Sequence, residues 1–226
     1  MKNDPLHSRH NHSKGSIFVL STKSTGIIAA VSIGLAAAAR PYANRMTGQG
    51  LLLSMGALQC GWIGANLAIS FMEAPVKFLS PTPARRSLID VGRHVFSALN
   101  KVEVVLATFD LLGWYLLTQR GLVPSSAGSG SIGSIGTSGS SSGLGQFGIG
   151  WRQWLLRLGP GLVVYLFQSF TFLPVMRSVG ARYIDGRPTE NAKVHGVYVA
   201  LEAVKLATLV ASTVGLGRAL LKGGAF

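Results

Sequence analysis

The sequence predicts an all-α integral membrane protein, a four-helix bundle made of two parallel two-helix repeats. Two observations predict this fold. Only 13% of the 226 residues are charged, about half the share that is usual in a soluble domain. In addition, the apolar residues occur in long blocks instead of at amphipathic spacing, which is the pattern of helices that lie in lipid.

Four runs are long enough to cross about 30 Å of hydrocarbon. They cover residues 47–72, 95–117, 158–176 and 195–216. The second run is interrupted by Lys101, Glu103 and Asp110, and the fourth carries Glu202 and Lys205. The first run contains no charged residue at all.

These runs divide the chain into four segments. Residues 1–46 are a polar N-terminal extension that contains a short apolar stretch, residues 26–39. This stretch is typical of a targeting segment or an interfacial helix, and an extra N-terminal membrane-spanning helix is the alternative. Residues 47–118 and 151–226 are the two transmembrane hairpins, and residues 119–150 are a flexible linker rich in serine and glycine.

Short matches between the two hairpins predict that one is a duplicate of the other. The pattern Ser-Phe-x-x-x-Pro-Val occurs at residues 70–76 and again at residues 169–175. The sequence Val-Phe-Ser-Ala-Leu at residues 95–99 is matched by Val-Tyr-Val-Ala-Leu at residues 197–201. Each hairpin contains two spans, so both hairpins enter the membrane from the same side and the repeats are parallel.

Alignment of the two hairpins places charged residues of opposite sign at the same depth. Asn100 aligns with Glu202, and Glu103 aligns with Lys205. A lone charge in hydrocarbon costs at least about 2.5 kcal/mol, so such residues usually face other helices and form pairs. We therefore expect an ion pair between Glu103 and Lys205, with a local pair between Glu202 and Lys205 as the alternative. The candidate intramembrane polar residues are Glu73, Asn100, Lys101, Glu103, Asp110, Glu202 and Lys205.

Small residues recur at every fourth position on two of the helices, which lets helix backbones approach closely in lipid. On the first helix these residues are Gly56, Cys60, Gly64 and Ala68. On the fourth helix they are Ala203, Ala207, Ala211 and Gly215. The two ridges of small residues predict either contact between the first and fourth helices or contact within an oligomer.

The sequence contains no arrangement of residues that is typical of a catalytic site. Cys60 is the single cysteine, which excludes an intramolecular disulfide and a cysteine-rich metal site. His94 and His195 each precede an even-numbered helix and are weak candidates for haem or metal ligands. We therefore predict no cofactor and no enzymatic activity.

The net charge of +13 would suggest nucleic-acid binding in a soluble protein. Here the basic residues lie between or beside the apolar runs, where they can contact anionic lipid head groups. We therefore predict the lipid bilayer as a partner, together with a protein partner or a second copy of the chain, and no nucleic acid. Basic residues near the spans are slightly more numerous on the side of residues 77–101 and 177–193, which favours this side as cytoplasmic.

Two segments and four further residues resemble a known family. The segments are residues 70–78, with the sequence SFMEAPVKF, and residues 92–103, with the sequence GRHVFSALNKVE. The further residues are Tyr198, Leu201, Glu202 and Lys205. Together they resemble a group of uncharacterised bacterial four-helix membrane proteins. More remotely, the layout resembles a family of unknown function that includes a eukaryotic transmembrane protein implicated in platinum-drug resistance. The resemblance covers residues 50–117 and 160–216, and it implies the fold and the membrane location but no chemistry.

The sequence favours a non-enzymatic function, that of a multi-pass membrane component that acts as a scaffold or accessory subunit. The alternative is a small-solute or ion transporter or channel, in which Glu73, Glu103, Glu202 and Lys205 line a polar path. A haem- or metal-binding redox protein that uses His94 and His195 is a distant third. The sequence does not identify which membrane holds the protein.

Overall fold

The computed structural model describes residues 20–73, 76, 79, 85–120, 161–187 and 191–222. Five long helices account for nearly all of these residues, and the described part of the chain contains no strand. The predicted all-α fold is therefore confirmed. Predictions for residues 1–19 and for the linker, residues 121–150, lie outside the described residues.

The helices follow one another with two local changes of pitch. Helix α1 is Thr22–Ala43, α2 is Gly48–Asn66, α3 is Arg85–Gln119 and α5 is Asn191–Lys222. Helix α2 continues as a π-helical segment, Leu67–Glu73. Helix α4 covers Gly161–Ile184 and contains a second π-helical segment, Gln168–Phe172. Four helices of the described residues are long and apolar enough to cross a membrane, namely α1, α2 with its π segment, α4 and α5. Helix α3, which contains the predicted second span, is not among them.

The N-terminal apolar stretch forms a helix that packs against α3. With 22 residues, α1 is long enough to cross the hydrocarbon layer. Arg120, which follows α3, donates hydrogen bonds to the carbonyl oxygens of Ala43, Asn44 and Met46 at 2.7–3.0 Å. These bonds satisfy carbonyl groups that the end of a helix leaves unpaired. Of the possibilities that the sequence leaves open, the structure therefore favours a membrane-spanning α1.

Neighbouring helices in the chain alternate in direction. Arg40, near the end of α1, donates a hydrogen bond to Tyr115, near the end of α3, so these two helices are parallel. Leu52, near the start of α2, lies in the same apolar cluster as Leu117, near the end of α3, so α2 is antiparallel to α3. The contacts described in the next section make α4 antiparallel and α5 parallel to α3. The starts of α1, α3 and α5 and the ends of α2 and α4 thus meet at what we call the N-terminal end of the bundle.

Helix α3 lies in the centre, in contact with α1, α2 and α4 along its length. Its 35 residues correspond to about 52 Å, more than the thickness of the hydrocarbon layer. It carries Lys101, Glu103 and Asp110, all of which are buried. The other helices shield these charges, and many of their own large apolar side chains face outwards, as contact with lipid requires.

The third predicted helix was expected to end at Met176, shortly after Pro174, but α4 continues to Ile184. Proline lacks an N–H group, and its ring clashes with the carbonyl group four residues earlier in an α-helix. The π-helical segment directly before Pro174 has a wider turn, which moves that carbonyl group away from the ring. Helices α3 and α5 also extend beyond their apolar runs, because the runs mark only the part of each helix that lies in lipid.

Two features agree with the predicted duplication of the hairpins. Helices α2 and α4 run in the same direction, as do α3 and α5. The π-helical segments Leu67–Glu73 and Gln168–Phe172 contain the two Ser-Phe pairs on which the alignment depends. The duplication itself stays a prediction.

Helices α2 and α5 pack against each other, but the prediction that they meet through the ridges of small residues is wrong. Gly56 and Gly215 are half-buried and the other six ridge residues are exposed. A Cβ atom at Gly56 or Gly64 would meet no other atom within 4 Å. The opposite faces turn inward because they carry polar groups: Gln59 of α2 forms hydrogen bonds of 3.0 Å with Ser212 and Thr213 of α5. The alternative prediction, contact within an oligomer, stays open.

Basic residues are more frequent at the N-terminal end of the bundle. The described part of the chain places there Lys23, Arg85, Arg86, Arg93, Arg177, Arg182, Arg187 and Lys193. Towards the opposite end it places Arg40, Arg45, Arg120, Arg218 and Lys222. Because basic residues near membrane spans are enriched on the cytoplasmic side, we predict that the N-terminal end is cytoplasmic.

Cysteine labelling tests this topology in a Cys60→Ala background, which removes the single native cysteine. In intact bacterial cells, we expect a membrane-impermeant maleimide to label Asn44→Cys but not Ser8→Cys or Asp185→Cys. All three should be labelled after permeabilisation, which serves as the control. If Ser8→Cys and Asn44→Cys are labelled alike in intact cells, α1 does not cross the membrane.

Candidate functional site

The candidate site is a cluster of three buried charged side chains in the middle of the bundle. Lys205 of α5 donates hydrogen bonds to Glu103 of α3 and, at 2.9 Å, to Glu202, which precedes it by one turn. Each of the three residues is at most 2% exposed. The predicted Glu103–Lys205 pair is thus present, and so is the local pair that the sequence offered as its alternative. One lysine lies between two glutamates.

Neutral donors from two further helices hold the carboxylates in place. Trp62 Nε1 of α2 donates to Glu103 Oε1 at 3.0 Å. Gln168 Nε2, in the π-helical segment of α4, donates to Glu202 Oε1 at 3.2 Å. Hydrogen bonds to charged groups contribute about 1.5–3 kcal/mol, more than those between neutral groups. Four helices are therefore fixed around one point.

The cluster contains one more acid than base. Two carboxylates and one ammonium group carry a net charge of −1 when all three are ionised. A net charge in the interior is unfavourable by several kcal/mol, and two carboxylates that share a site resist simultaneous ionisation. The centre of the bundle therefore holds one more acidic than basic side chain.

A second polar group lies two turns further along α3. Asp110 Oδ1 accepts a hydrogen bond from Gln59 Nε2 at 2.8 Å. Gln59 Nε2 also donates to Ser212 Oγ, and Gln59 Oε1 accepts a hydrogen bond from Thr213 Oγ1. This group joins α2, α3 and α5. It adds a buried carboxylate between the cluster and the C-terminal end of α3.

A small cavity separates the two polar groups. It has a volume of about 30 Å³, and its wall is mostly apolar, with Asp110, Lys205 and Thr208 as polar members. A water molecule needs about 10–15 Å³, so the cavity can hold about two. Gly161 of α4 also lines it, and a Cβ atom there would come within 2.5 Å of Thr208 Oγ1. Glycine at this position therefore allows α4 and α5 to approach closely beside the cavity.

Polar contacts also continue from the cluster towards the N-terminal end. Ser169 Oγ of α4 donates to Asn100 Oδ1 of α3 at 2.6 Å, and Arg177 Nε donates to Ser97 Oγ at 3.0 Å. From Ser97 to Asp110, polar contacts thus extend over about 20 Å of α3. This distance is roughly two-thirds of the hydrocarbon layer.

The structure also locates the remaining predicted residues. Lys101 is buried and donates to the backbone one turn earlier at 3.3 Å. Glu73 is the last residue of the first π-helical segment, and its side chain lies outside what the structure describes. The ring of His94 is 2.9 Å from the backbone oxygen of Asp90, and His195 is half-buried in the first turns of α5. No group of three or more metal-ligating side chains occurs among the residues described.

Reasoning from charged residues missed the uncharged members of the site. These are Gln59, Trp62, Gln168, Ser169, Ser212 and Thr213. For Gln59, the sequence does contain a pattern that indicates burial. Gln59, Asn66 and Ser70 recur at helical spacing within a run that has no charge, and all three are buried. Such a polar stripe on an otherwise apolar helix indicates the face that turns inward.

Comparison of the chain with protein-family models, with curated proteins and with solved structures finds no match in any of the three. The resemblance to uncharacterised bacterial four-helix membrane proteins therefore stays a prediction. Any functional conclusion has to come from the contacts in the bundle.

Because the cluster has one carboxylate in excess, we expect two substitutions in it to lower the free energy of unfolding by different amounts. Lys205→Met leaves two buried carboxylates without a cation, and we expect it to lower the free energy of unfolding by about 3–5 kcal/mol. Glu103→Gln keeps a neutral Glu202–Lys205 pair and an acceptor for Trp62, so we expect a loss of about 1–2 kcal/mol. Unfolding by SDS in mixed micelles, followed by tryptophan fluorescence, measures both values.

The matched control is Lys193→Met, which removes an exposed lysine from the same helix. We expect it to change the free energy of unfolding by less than about 0.5 kcal/mol. A loss for Glu103→Gln that equals or exceeds the loss for Lys205→Met would refute the charge balance described above.

Proposed function

We propose that this multi-pass membrane protein is a non-enzymatic transporter or channel that passes protons or small cations through the centre of its bundle. The observation that carries the proposal is Lys205 between Glu103 and Glu202, with one carboxylate in excess. Ionisable residues inside membrane helices usually mark the pathways of ions or protons. For structural purposes alone, well-packed apolar residues are often at least as stabilising as a buried ion pair.

The sign of the cluster supports a cation as the transported species. A buried net charge of −1 attracts a proton or a small cation and repels an anion. Asp110 adds a second negative centre across the cavity. Uptake of a cation neutralises the cluster, and its release towards Asp110 restores the original charge.

The size and position of the cavity support a proton or a small ion over a larger solute. A volume of about 30 Å³ suits about two water molecules. Those waters would connect Lys205 and Asp110, which no protein hydrogen bond between described residues connects directly. Chains of carboxylates and polar groups inside membrane bundles are the usual form of proton relays. The extent of the polar contacts along α3 fits such a relay.

Ion flux in liposomes tests the proposal. Purified protein is reconstituted with a pH-sensitive dye inside, and a potassium gradient with valinomycin sets the membrane potential. We expect proton flux with the wild type. Glu202→Gln retains the size of the side chain but cannot bind the proton, so we expect the flux to fall to that of protein-free liposomes. The combined variant Glu103→Gln/Lys205→Met should lose flux in the same way while circular dichroism shows unchanged helix content.

The matched control is Asp185→Asn, which removes an exposed carboxylate beyond the end of α4. It should retain wild-type flux. Sodium and potassium fluxes in the same liposomes distinguish small cations from protons. If the wild type moves none of these ions faster than protein-free liposomes, the transport proposal is wrong.

The exposed ridges of small residues favour a second function, that of a scaffold or accessory subunit. Cys60, Gly64 and Ala207 lie on smooth outer faces of α2 and α5. Small residues on a lipid-facing surface allow another helix to approach closely, which is the main attraction between helices in lipid. A scaffold would use these faces for a partner protein or for a second copy of the chain.

Purification in mild detergent tests this second function. We expect a stoichiometric partner, or a second copy that can be cross-linked through Cys60, and we expect Gly64→Leu/Ala207→Leu to release it. The fold should tolerate this variant, because a Cβ atom at Gly64 meets no atom within 4 Å. The control is Ala30→Leu, at an exposed position of α1. A wild-type protein that is monomeric and free of other chains would exclude the scaffold.

A further inference from the structure

Two arginines form a pair at the N-terminal end of the bundle, where the polar contacts along α3 end. Arg177 of α4 donates from Nε to Ser97 Oγ of α3, and Ser97 follows Arg93 by one turn. The stem of Arg93 in turn lies against α4 beside Gly180, one turn after Arg177. A Cβ atom at Gly180 would come within 2.8 Å of Arg93 Cδ. The two side chains therefore lie next to each other between α3 and α4.

Both guanidinium groups retain a buried donor. Arg93 Nε and Arg177 Nη2 are inaccessible to solvent, and neither has a hydrogen-bond acceptor among the described residues. Arg93 Nη1 contacts Asp90 Oδ1 at 3.2 Å, and Arg177 Nη1 is 3.4 Å from Thr22 Oγ1. A buried charged donor without an acceptor is strongly unfavourable. The two donors can therefore be satisfied by a hydrogen-bond acceptor that a ligand supplies.

The excess of positive charge around the pair also favours binding of an anion. Arg93 and Arg177 repel each other electrostatically, and Arg177 also repels Lys101. The acid that contacts the pair is Asp90, whose side chain is 48% exposed and is also 4.0 Å from the ring of His94. Even with Asp90 ionised, the two arginines retain one uncompensated positive charge.

The depth of the pair matches the head groups of the bilayer. Arg93 precedes Glu103 by ten residues on α3, which corresponds to about 15 Å. Glu103 lies near the middle of α3, and half of the hydrocarbon layer is also about 15 Å thick. In a bilayer centred on Glu103, Arg93 therefore lies at the level where hydrocarbon meets phosphate.

We propose that Arg93 and Arg177 together bind the phosphate group of an anionic phospholipid at the N-terminal end of the bundle. The planar fork of a guanidinium group matches two oxygens of a phosphate, and the two buried donors supply hydrogen bonds that no described protein group accepts. A soluble phosphate has the same chemistry, but the depth of the site favours the lipid. This inference does not depend on the transport proposal.

Lipid binding to the full-length protein tests the site. Native mass spectrometry of the protein in detergent counts bound dioleoylphosphatidylglycerol, with dioleoylphosphatidylcholine as the zwitterionic comparison. We expect Arg93→Gln/Arg177→Gln to weaken binding of phosphatidylglycerol about tenfold or more, as the loss of charged hydrogen bonds predicts. The matched control Arg182→Gln/Arg187→Gln removes the same charge from exposed positions at the same end. The control should change binding by less than about twofold.

A more conservative variant separates weaker binding from unfolding of the protein. Arg177→Lys keeps the positive charge but lacks the fork, so we expect weaker binding with unchanged helix content. Equal weakening in the two double variants would show attraction by charge alone and would overturn the site, as would full binding in Arg93→Gln/Arg177→Gln.

Inorganic phosphate separates the two sources of the ligand. We expect sodium phosphate at millimolar concentration to raise the thermal unfolding temperature less than phosphatidylglycerol does. An equal rise that Arg93→Gln/Arg177→Gln abolishes would support the site but assign it to a soluble phosphate.

Discussion

The architecture depends on a single lysine that forms ion pairs with glutamates from two helices. Glu103 and Lys205 lie 102 residues apart in the chain, and neither is tolerated alone in hydrocarbon. Their contact obliges α3 and α5 to turn these faces towards each other, and the donors Trp62 and Gln168 then orient α2 and α4 around the same point. Apolar surfaces alone define such rotations poorly, because lipid is as apolar as the side chains it competes with.

The same constraint decides which surfaces are left for lipid. A helix in a bilayer can expose glycine, alanine or valine at little cost, but it cannot expose Gln59 or Ser212. The polar faces therefore take the interior, and the ridges of small residues remain outside. What the fold does not require is the second carboxylate at the centre, because one glutamate and one lysine would already be neutral. That excess is the part of the site that a purely structural role leaves unexplained.

The sequence predicts the fold class and the central ion pair for physical reasons that are easy to state. Long apolar blocks have few alternatives to membrane helices, and the alignment of the hairpins places Glu103 and Lys205 at one depth. It does not predict the role of Trp62 or Gln168, because a neutral polar residue that faces inward does not identify the group with which it forms a hydrogen bond. The continuation of α4 beyond Met176 to Ile184 was also missed, since it depends on a π-helical turn that has no recognised sequence pattern. The predicted orientation of the small-residue ridges was wrong because buried hydrogen bonds stabilise the bundle more than close packing of small residues does.

The separation of the central pair along the chain has a consequence for how the protein is made. During synthesis, α3 reaches the membrane while the helix that carries its counter-charge is still untranslated. Each charged residue near the centre of an inserting helix adds about 2.5–3.5 kcal/mol to the cost of insertion, and α3 carries three. The ion pair with Lys205 can offset this cost only after α5 has been translated.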